Sequence, residues 1–304
     1  MEQPDITAKS WFMVLTLGLV WGGTFLFQNL ALRTTEPFWV ATARIGFAMI
    51  LTWAVWRWRG GRMFTTSETD WPRLIFVSLT SSAIPFMFLS WGQQYVTSAF
   101  TGVSMATVAL FVLPMAHVLV PGERMTPRRT LGFLLGFGGV VLLVGPEAFA
   151  ASGESMEPLG RLACLGGAFC YAVSSIMIRR LPPIDPFGLT FATLGFGLVL
   201  VLPVAFAVHG VPANPGTQGL AILALLGLVP TAGANLLRIL TIRSAGPVFM
   251  SITNYLVPLF AVGFGAVFLG EALPRSLLFG MALVLSGVGL SQYGALRRLF
   301  RGNG

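Results

Sequence analysis

Five short motifs occur twice in this chain, in the same order and at nearly constant separation. Ala43-Arg44-Ile45-Gly46-Phe47 recurs as Ala192-Thr193-Leu194-Gly195-Phe196, 149 residues on. Trp21-Gly22 returns as Tyr171-Ala172 at 150, Pro85 as Pro230 at 145, Ser98-Ala99 as Ser244-Ala245 at 146, and Gly122-Glu123 as Gly270-Glu271 at 148. No single match carries weight. Their shared order and offset define a repeat of about half the chain, divided as 1–150 and 151–304. Whatever one half folds into, the other must fold into as well.

Each half consists mainly of apolar runs. Charged residues make up 10% of the chain, against about 25% in soluble domains. A bilayer-spanning helix needs about 20 apolar residues. The first half offers runs near 11–31, 38–57, 72–93, 97–120 and 129–146, and the second near 159–179, 187–208, 217–239, 246–269 and 276–296. The expected fold is an all-α membrane protein of about ten transmembrane helices, forming one integral-membrane domain. The first run is too long for a cleaved signal and reads as a retained helix. Pro85 and Pro230 fall inside spans, where they remove backbone hydrogen bonds and mark hinges, broken helices or kinks.

The net charge of +8 would point to nucleic acid in a soluble protein. Here the arginines sit between apolar runs and set topology instead. With the N-terminus in the cytoplasm, inner segments hold Lys9, Arg57, Arg59, Arg62, Arg73, Arg124, Arg128, Arg129, Arg179, Arg180, Arg243, Arg297, Arg298 and Arg301. Outer loops hold Arg33, Arg161 and Arg275. Both termini are therefore expected in the cytoplasm of a bacterial inner membrane. Five helices per repeat is an odd number, so the second copy enters the membrane upside down. Inverted repeats are the architecture of many secondary transporters.

Trp21-Gly22 in the first helix, Arg44 in the second and a Gly-Glu pair after the fourth helix of each repeat (Gly122-Glu123, Gly270-Glu271) form a recognisable set. Pro258, thirteen residues before Glu271, belongs with them. The first repeat has Leu110 at the matching place and its proline at Pro114. Across nearly its whole length the chain resembles the EamA family of the drug/metabolite transporter superfamily. The resemblance implies a ten-helix carrier with a central cavity, commonly exporting amino acids or other small metabolites.

Ionisable groups at membrane depth are costly and by default functional. The carboxylates all fall in tails, loops or span ends, so proton coupling through a midplane carboxylate is disfavoured. Arg44 and Arg238 fall within spans, and each is either a fork for a carboxylate or phosphate or a snorkelling side chain. Pro85 and Pro230 align Gln93 with Arg238 and Ser90 with Asn235. Ser90, Gln93 and Gln94 are expected on one helix face, as are Asn235 and Arg238, and Ser251 and Asn254. Trp21, Trp91, Tyr171 and Tyr255 are candidate cavity aromatics, with Tyr95 beside them. All twelve side chains from Trp21 to Tyr255 in these sets, Arg44 included, are candidate substrate contacts; the alternative is interhelical packing. Gly132-x-x-x-Gly136 permits close helix approach, within the chain or in a homodimer.

Cys164 and Cys170 share one apolar run and read as buried thiols. His117 and His209 lie near span ends without an evident partner, and no metal-binding spacing or nucleophile motif appears. No metal, cofactor or catalytic residue is expected, and an integral-membrane enzyme is disfavoured. The leading reading is a secondary transporter of a small organic solute in the lipid bilayer. Exchange or uptake of phosphorylated or nucleotide-linked solutes is the alternative, and it would need several embedded cations.

Cysteine probes at Gly153 and Asn214, with tags at both termini, test the topology. Labelling of both cysteines from outside and a cytoplasmic location of both tags are expected. Termini on opposite faces, or either probe in the cytoplasm, would rule out ten spans.

Overall fold

The computed structural model describes residues 7–119, 124–144, 156–178, 180–250 and 252–301. Gly122-Glu123, Arg179, Ser251 and the inter-repeat segment with Gly153 lie outside them. The described residues form ten helices: α1 (Ala8–Ala31), α2 (Pro37–Trp58), α3 (Trp71–Gly92), α4 (Ser98–Leu119) and α5 (Pro127–Val144), then α6 (Glu157–Ile178), α7 (Pro186–His209), α8 (216–250), α9 (Thr253–Leu269) and α10 (Arg275–Arg301). Eight contain stretches long and apolar enough to cross a membrane, and α9 is a shorter apolar helix. The protein is a multi-pass membrane protein.

Local chemistry sets the helix starts. Proline occupies the first turn of α2, α3 and α7, where its missing N–H costs nothing. Asp70 and Asp185 cap α3 and α7, accepting from Arg73 N at 2.9 Å and Gly188 N at 2.7 Å. Pro37 and Pro186 begin the second helix of each repeat, so the repeat extends to the way its helices are launched.

The packing follows a two-fold exchange of the halves, α1 with α6, α2 with α7, and so on to α5 with α10. The α1–α9 contact has its mate in α6–α4, α1–α8 in α6–α3, and α2–α8 in α7–α3; α2–α7, α4–α9 and α5–α10 are each their own mate. With five alternating helices per repeat, these are inverted repeats.

The closest seam joins α5 to α10 through glycines. A Cβ on Gly287 would lie 2.4 Å from the Gly132 carbonyl oxygen, and one on Gly139 would lie 2.8 Å from that of Gly280. The backbones touch because no side chain intervenes. Gly132 and Gly136 are thus spent on a contact within the chain. Gly22 does the same for α1 and α9, where a Cβ would stand 2.5 Å from Phe260 Cβ.

Two expectations are corrected. The break between the eighth and ninth helices was expected near 240–245, but α8 runs to Met250. Thr241, Ala245 and Phe249 are buried at successive four-residue steps, and Phe249 and Ala245 pack on Val14 of α1. Stopping earlier would leave that apolar face unburied. Similarly, Gln94 does not share a helix face with Ser90 and Gln93. Helix α3 ends at Gly92 and Gln93 is its cap residue; Gln93 turns inward and is buried, while Gln94 is exposed and bonds the Trp91 carbonyl in its own turn.

The prolines do not break their helices. Each sits at a π-helical turn, Leu79–Ala83 just before Pro85 and Gly227–Gly233 around Pro230. A π-turn takes up the unbonded positions without ending the helix.

Gly287→Val is expected to destabilise the protein by roughly 1–3 kcal/mol or more through overpacking. Gly138→Ala, with nothing within 4 Å of its added carbon, is expected to be neutral. Thermal unfolding in detergent reads both.

Candidate functional site

The two π-turns are one place where the halves meet through polar groups. Arg44 stands seven residues into α2, about 10 Å along the helix. It is buried, and its guanidinium bonds protein groups through two of its nitrogens. Arg44 Nε donates to Thr231 Oγ1 at 2.7 Å and Nη1 donates to Gln28 Oε1 at 3.1 Å. Its face lies 4.2 Å from the Phe86 ring centroid. Gln28 Nε2 passes a hydrogen bond to Gln93 Oε1 at 2.9 Å, and Gln93 Nε2 ends on the Phe25 carbonyl at 2.6 Å. Thr231 Oγ1 donates to the Leu226 carbonyl, five residues back, at 2.9 Å. That acceptor is one the π-turn leaves available. The relay joins α1, α2, the end of α3 and α8, and its amide and hydroxyl members all have partners, as burial requires.

The mate of this junction lies between α7 and α3. Thr193 is the repeat counterpart of Arg44, and Ser82 Oγ in the α3 π-turn donates to the Thr193 carbonyl at 2.6 Å. One junction holds a permanent charge and the other only a hydroxyl and a carbonyl.

Beside the junction lies a centre of partly buried aromatic side chains. Trp21 donates from Nε1 to the Pro230 carbonyl at 3.0 Å. It packs both on Leu17, Ala234 and Met250 and on Phe25, Val257 and Ala261. Met105 touches the second of these clusters and also the one that Tyr171 and Tyr255 pack against. Trp21, Met105, Tyr171 and Tyr255 are all only partly buried. Tyr171 also touches the α2–α3–α7 cluster and lies within the electrostatic reach of Arg44. Asn235 is half-buried and bonds the Thr231 carbonyl of its own helix. Arg238 is exposed on α8, one turn on from Asn235. Asn254 is exposed, and the buried Tyr255 hydroxyl has no hydrogen-bond partner.

The sequence candidates therefore divide. Arg44 and Gln93 meet in the relay, Trp21, Tyr171 and Tyr255 pack on clusters linked through Met105, and Asn235 and Arg238 lie one turn apart on α8. Ser90 is buried in α3. Trp91 pairs with Tyr95 at 5.1 Å between ring centroids, at the end of α3 with Gln94 and away from that centre. Gln28 and Thr231 were missed. Gln28 is an amide inside an expected span, and such a group demands a partner; Thr231 directly follows the span proline.

A separate cavity of about 420 Å³ opens on the face opposite the termini. Asn29, Gln93, Gln94, Glu157, Arg161 and Glu271 contribute its polar lining, with Phe100 and Leu277 among its apolar residues. Glu271 follows Gly270, whose φ of +65° ends α9 in the left-handed region. The carboxylate then reaches α4, accepting from Ser98 N at 2.7 Å and Ala99 N at 3.0 Å. A negative group there offsets the positive end of the helix dipole. The Gly270-Glu271 pair is thus a cross-helix cap. Among the described residues the other carboxylates stand at helix starts or in loops.

Arg44→Leu is expected to remove two charge-assisted bonds, each worth about 1.5–3 kcal/mol, and to strand Gln28 and Thr231. Thermal unfolding in detergent is expected to fall by roughly 6–10 °C. An unchanged midpoint would contradict the junction's role.

Comparison with known proteins agrees with this architecture. The model of the EamA-like transporter family matches residues 8–145 and again 158–292. An Archaeoglobus fulgidus protein named "Uncharacterized transporter" is 26% identical over 292 residues, covering 94% of this chain and 98% of that protein. Bacillus subtilis "Uncharacterized transporter YoaV" is 21% identical over 287 residues, covering 94% and 97%. A Streptantibioticus cattleyicolor protein named "Probable terminal-alkyne amino-acid exporter" is 26% identical over 222 residues, 72% of each chain. One solved structure shares the fold with a TM-score of 0.63 at 20% identity, over 95% of this chain and 99% of that one.

Proposed function

The chain belongs to the EamA-like transporter family, and from that premise we propose that it exports a small organic solute bearing one carboxylate, of the amino-acid kind. Transport proceeds by alternating access, the inverted halves rocking about the π-turn junctions. The protein lies in a bacterial inner membrane with both termini in the cytoplasm, since the arginine-rich loops share the terminus-bearing face.

The observation that carries the choice of solute is the division of labour between the two embedded arginines. Arg44 spends its guanidinium on Gln28, Thr231 and Phe86. In this reading Arg238, exposed one turn from Asn235, turns to the solute, and Trp21, Tyr171 and Tyr255 supply the rings. A single cation with aromatic walls suits one carboxylate on a compact, partly apolar body. Multiple phosphates would call for several cations, and Arg44 is already committed. The amino-acid exporter named among the relatives is consistent with this class.

Flux of radiolabelled amino acids from proteoliposomes tests the proposal. Arg238→Gln is expected to weaken solute affinity by roughly 10- to 100-fold, and Arg238→Lys to recover it in part, because a point charge lacks the fork. Transport is expected to run with or without a proton gradient. Full affinity in Arg238→Gln, or flux that requires a proton gradient, would overturn the reading.

A further inference from the structure

The cavity on the face opposite the termini is chemically unlike the centre. It presents one cation, Arg161, and two carboxylates, Glu157 and Glu271, together with the amides of Asn29 and Gln93 and the ring of Phe100. Arg161 and Glu157 sit one turn apart on α6 and pair at 2.5 Å. Their side chains keep 21% and 49% of their surface exposed, so the pair is hydrated and worth little; Arg161 also lies 5.8 Å from the Phe100 ring centroid. Glu271 accepts two backbone amides, which leaves acceptor capacity on a carboxylate with about four lone-pair sites. The volume of about 420 Å³ lies within the range of small-molecule sites. A site with both signs of charge a few ångströms apart, flanked by neutral amides and a ring, has the complement of a zwitterion.

Gln93 ties this cavity to the interior. It lines the cavity and also receives the Gln28 bond of the Arg44 relay. Gln93 is therefore the floor residue through which the relay meets the cavity, and Glu271, which ties α9 to α4, is a second lining group that bridges the halves.

We propose that this cavity is a second solute site, binding an α-amino acid zwitterion with its carboxylate at Arg161 and its ammonium at Glu157 and Glu271, on the far side of the Gln93–Gln28–Arg44 floor from the central site. It is the site a solute occupies after the floor opens and before release. The choice of amino acid rests on the function proposed above; the charge pattern of the cavity supports it separately.

Equilibrium binding of radiolabelled neutral L-amino acids to purified protein in detergent counts the sites. Two sites per chain are expected. Arg161→Gln is expected to weaken one by about tenfold, the loss of a charge-assisted bond. Gln94→Trp, at an exposed turn position where folding is not at stake, is expected to fill the cavity and remove the same site. Arg238→Gln is expected to retain it. N-acetylated amino acids and methyl esters, which each lack one charge, are expected to compete poorly there. Two sites persisting in both Arg161→Gln and Gln94→Trp would overturn the inference, as would a single site lost in Arg238→Gln, and the latter leaves the export proposal standing. Binding at the Arg161 site with no amino-acid flux would sink the export proposal alone. No binding of any amino acid at either site would overturn both.

Discussion

Arg44 carries a permanent charge into the membrane, and most of the site geometry answers to it. An unpaired guanidinium in hydrocarbon is too costly to keep. It is satisfied by an amide from α1, a hydroxyl from the π-turn of α8 and the face of an aromatic ring on α3. Those partners come from both repeats. The need to satisfy one side chain therefore fixes how α2 sits against α8, and so how the halves meet. The π-turn belongs to the same solution. It places Thr231 where its hydroxyl can serve Arg44 and leaves the Leu226 and Pro230 carbonyls for Thr231 and Trp21.

The repeat makes this junction legible as one of a pair. Thr193 stands where symmetry would put a second arginine, and Ser82 closes that junction with an uncharged bond. Two embedded guanidiniums would double the desolvation cost, while none would leave both junctions easy to slide. One strong and one weak junction give the halves a preferred arrangement and a hinge. The glycine seam of α5 and α10 lies elsewhere in the packing and holds the halves by backbone contact, with Arg128 set over the Tyr293 ring.

Much of the fold was legible in the chain. Apolar run lengths and prolines gave the helices, the odd helix count gave the inversion, and the motif offsets gave the mates seen in the packing. The end of α8 was not legible, because Ser244-Ala245-Gly246-Pro247 reads as a turn; burial of Ala245 and Phe249 on α1 overrides it. The site was legible only in part. Arg44 and Gln93 stand out as polar residues in spans, but linear spacing cannot say that Gln28 lies between them. Arg238 was marked by its charge. The opposite-face cavity draws on five separate helix ends or turns, and no local pattern announces such a convergence. Glu271 reads in the sequence as a carboxylate at a span end, yet only the three-dimensional structure identifies α4 as the helix it caps.

The account depends on the halves moving about the π-turn junctions. Pulsed electron paramagnetic resonance between spin labels at Gln94, on the α3–α4 turn, and Ser276, at the start of α10, reports the separation of the two repeats on the face opposite the termini. The account predicts a second, longer distance population that grows when transported solute is added and is enriched when Arg44 is replaced by leucine. A single distance, unchanged by solute and by Arg44→Leu, would contradict it.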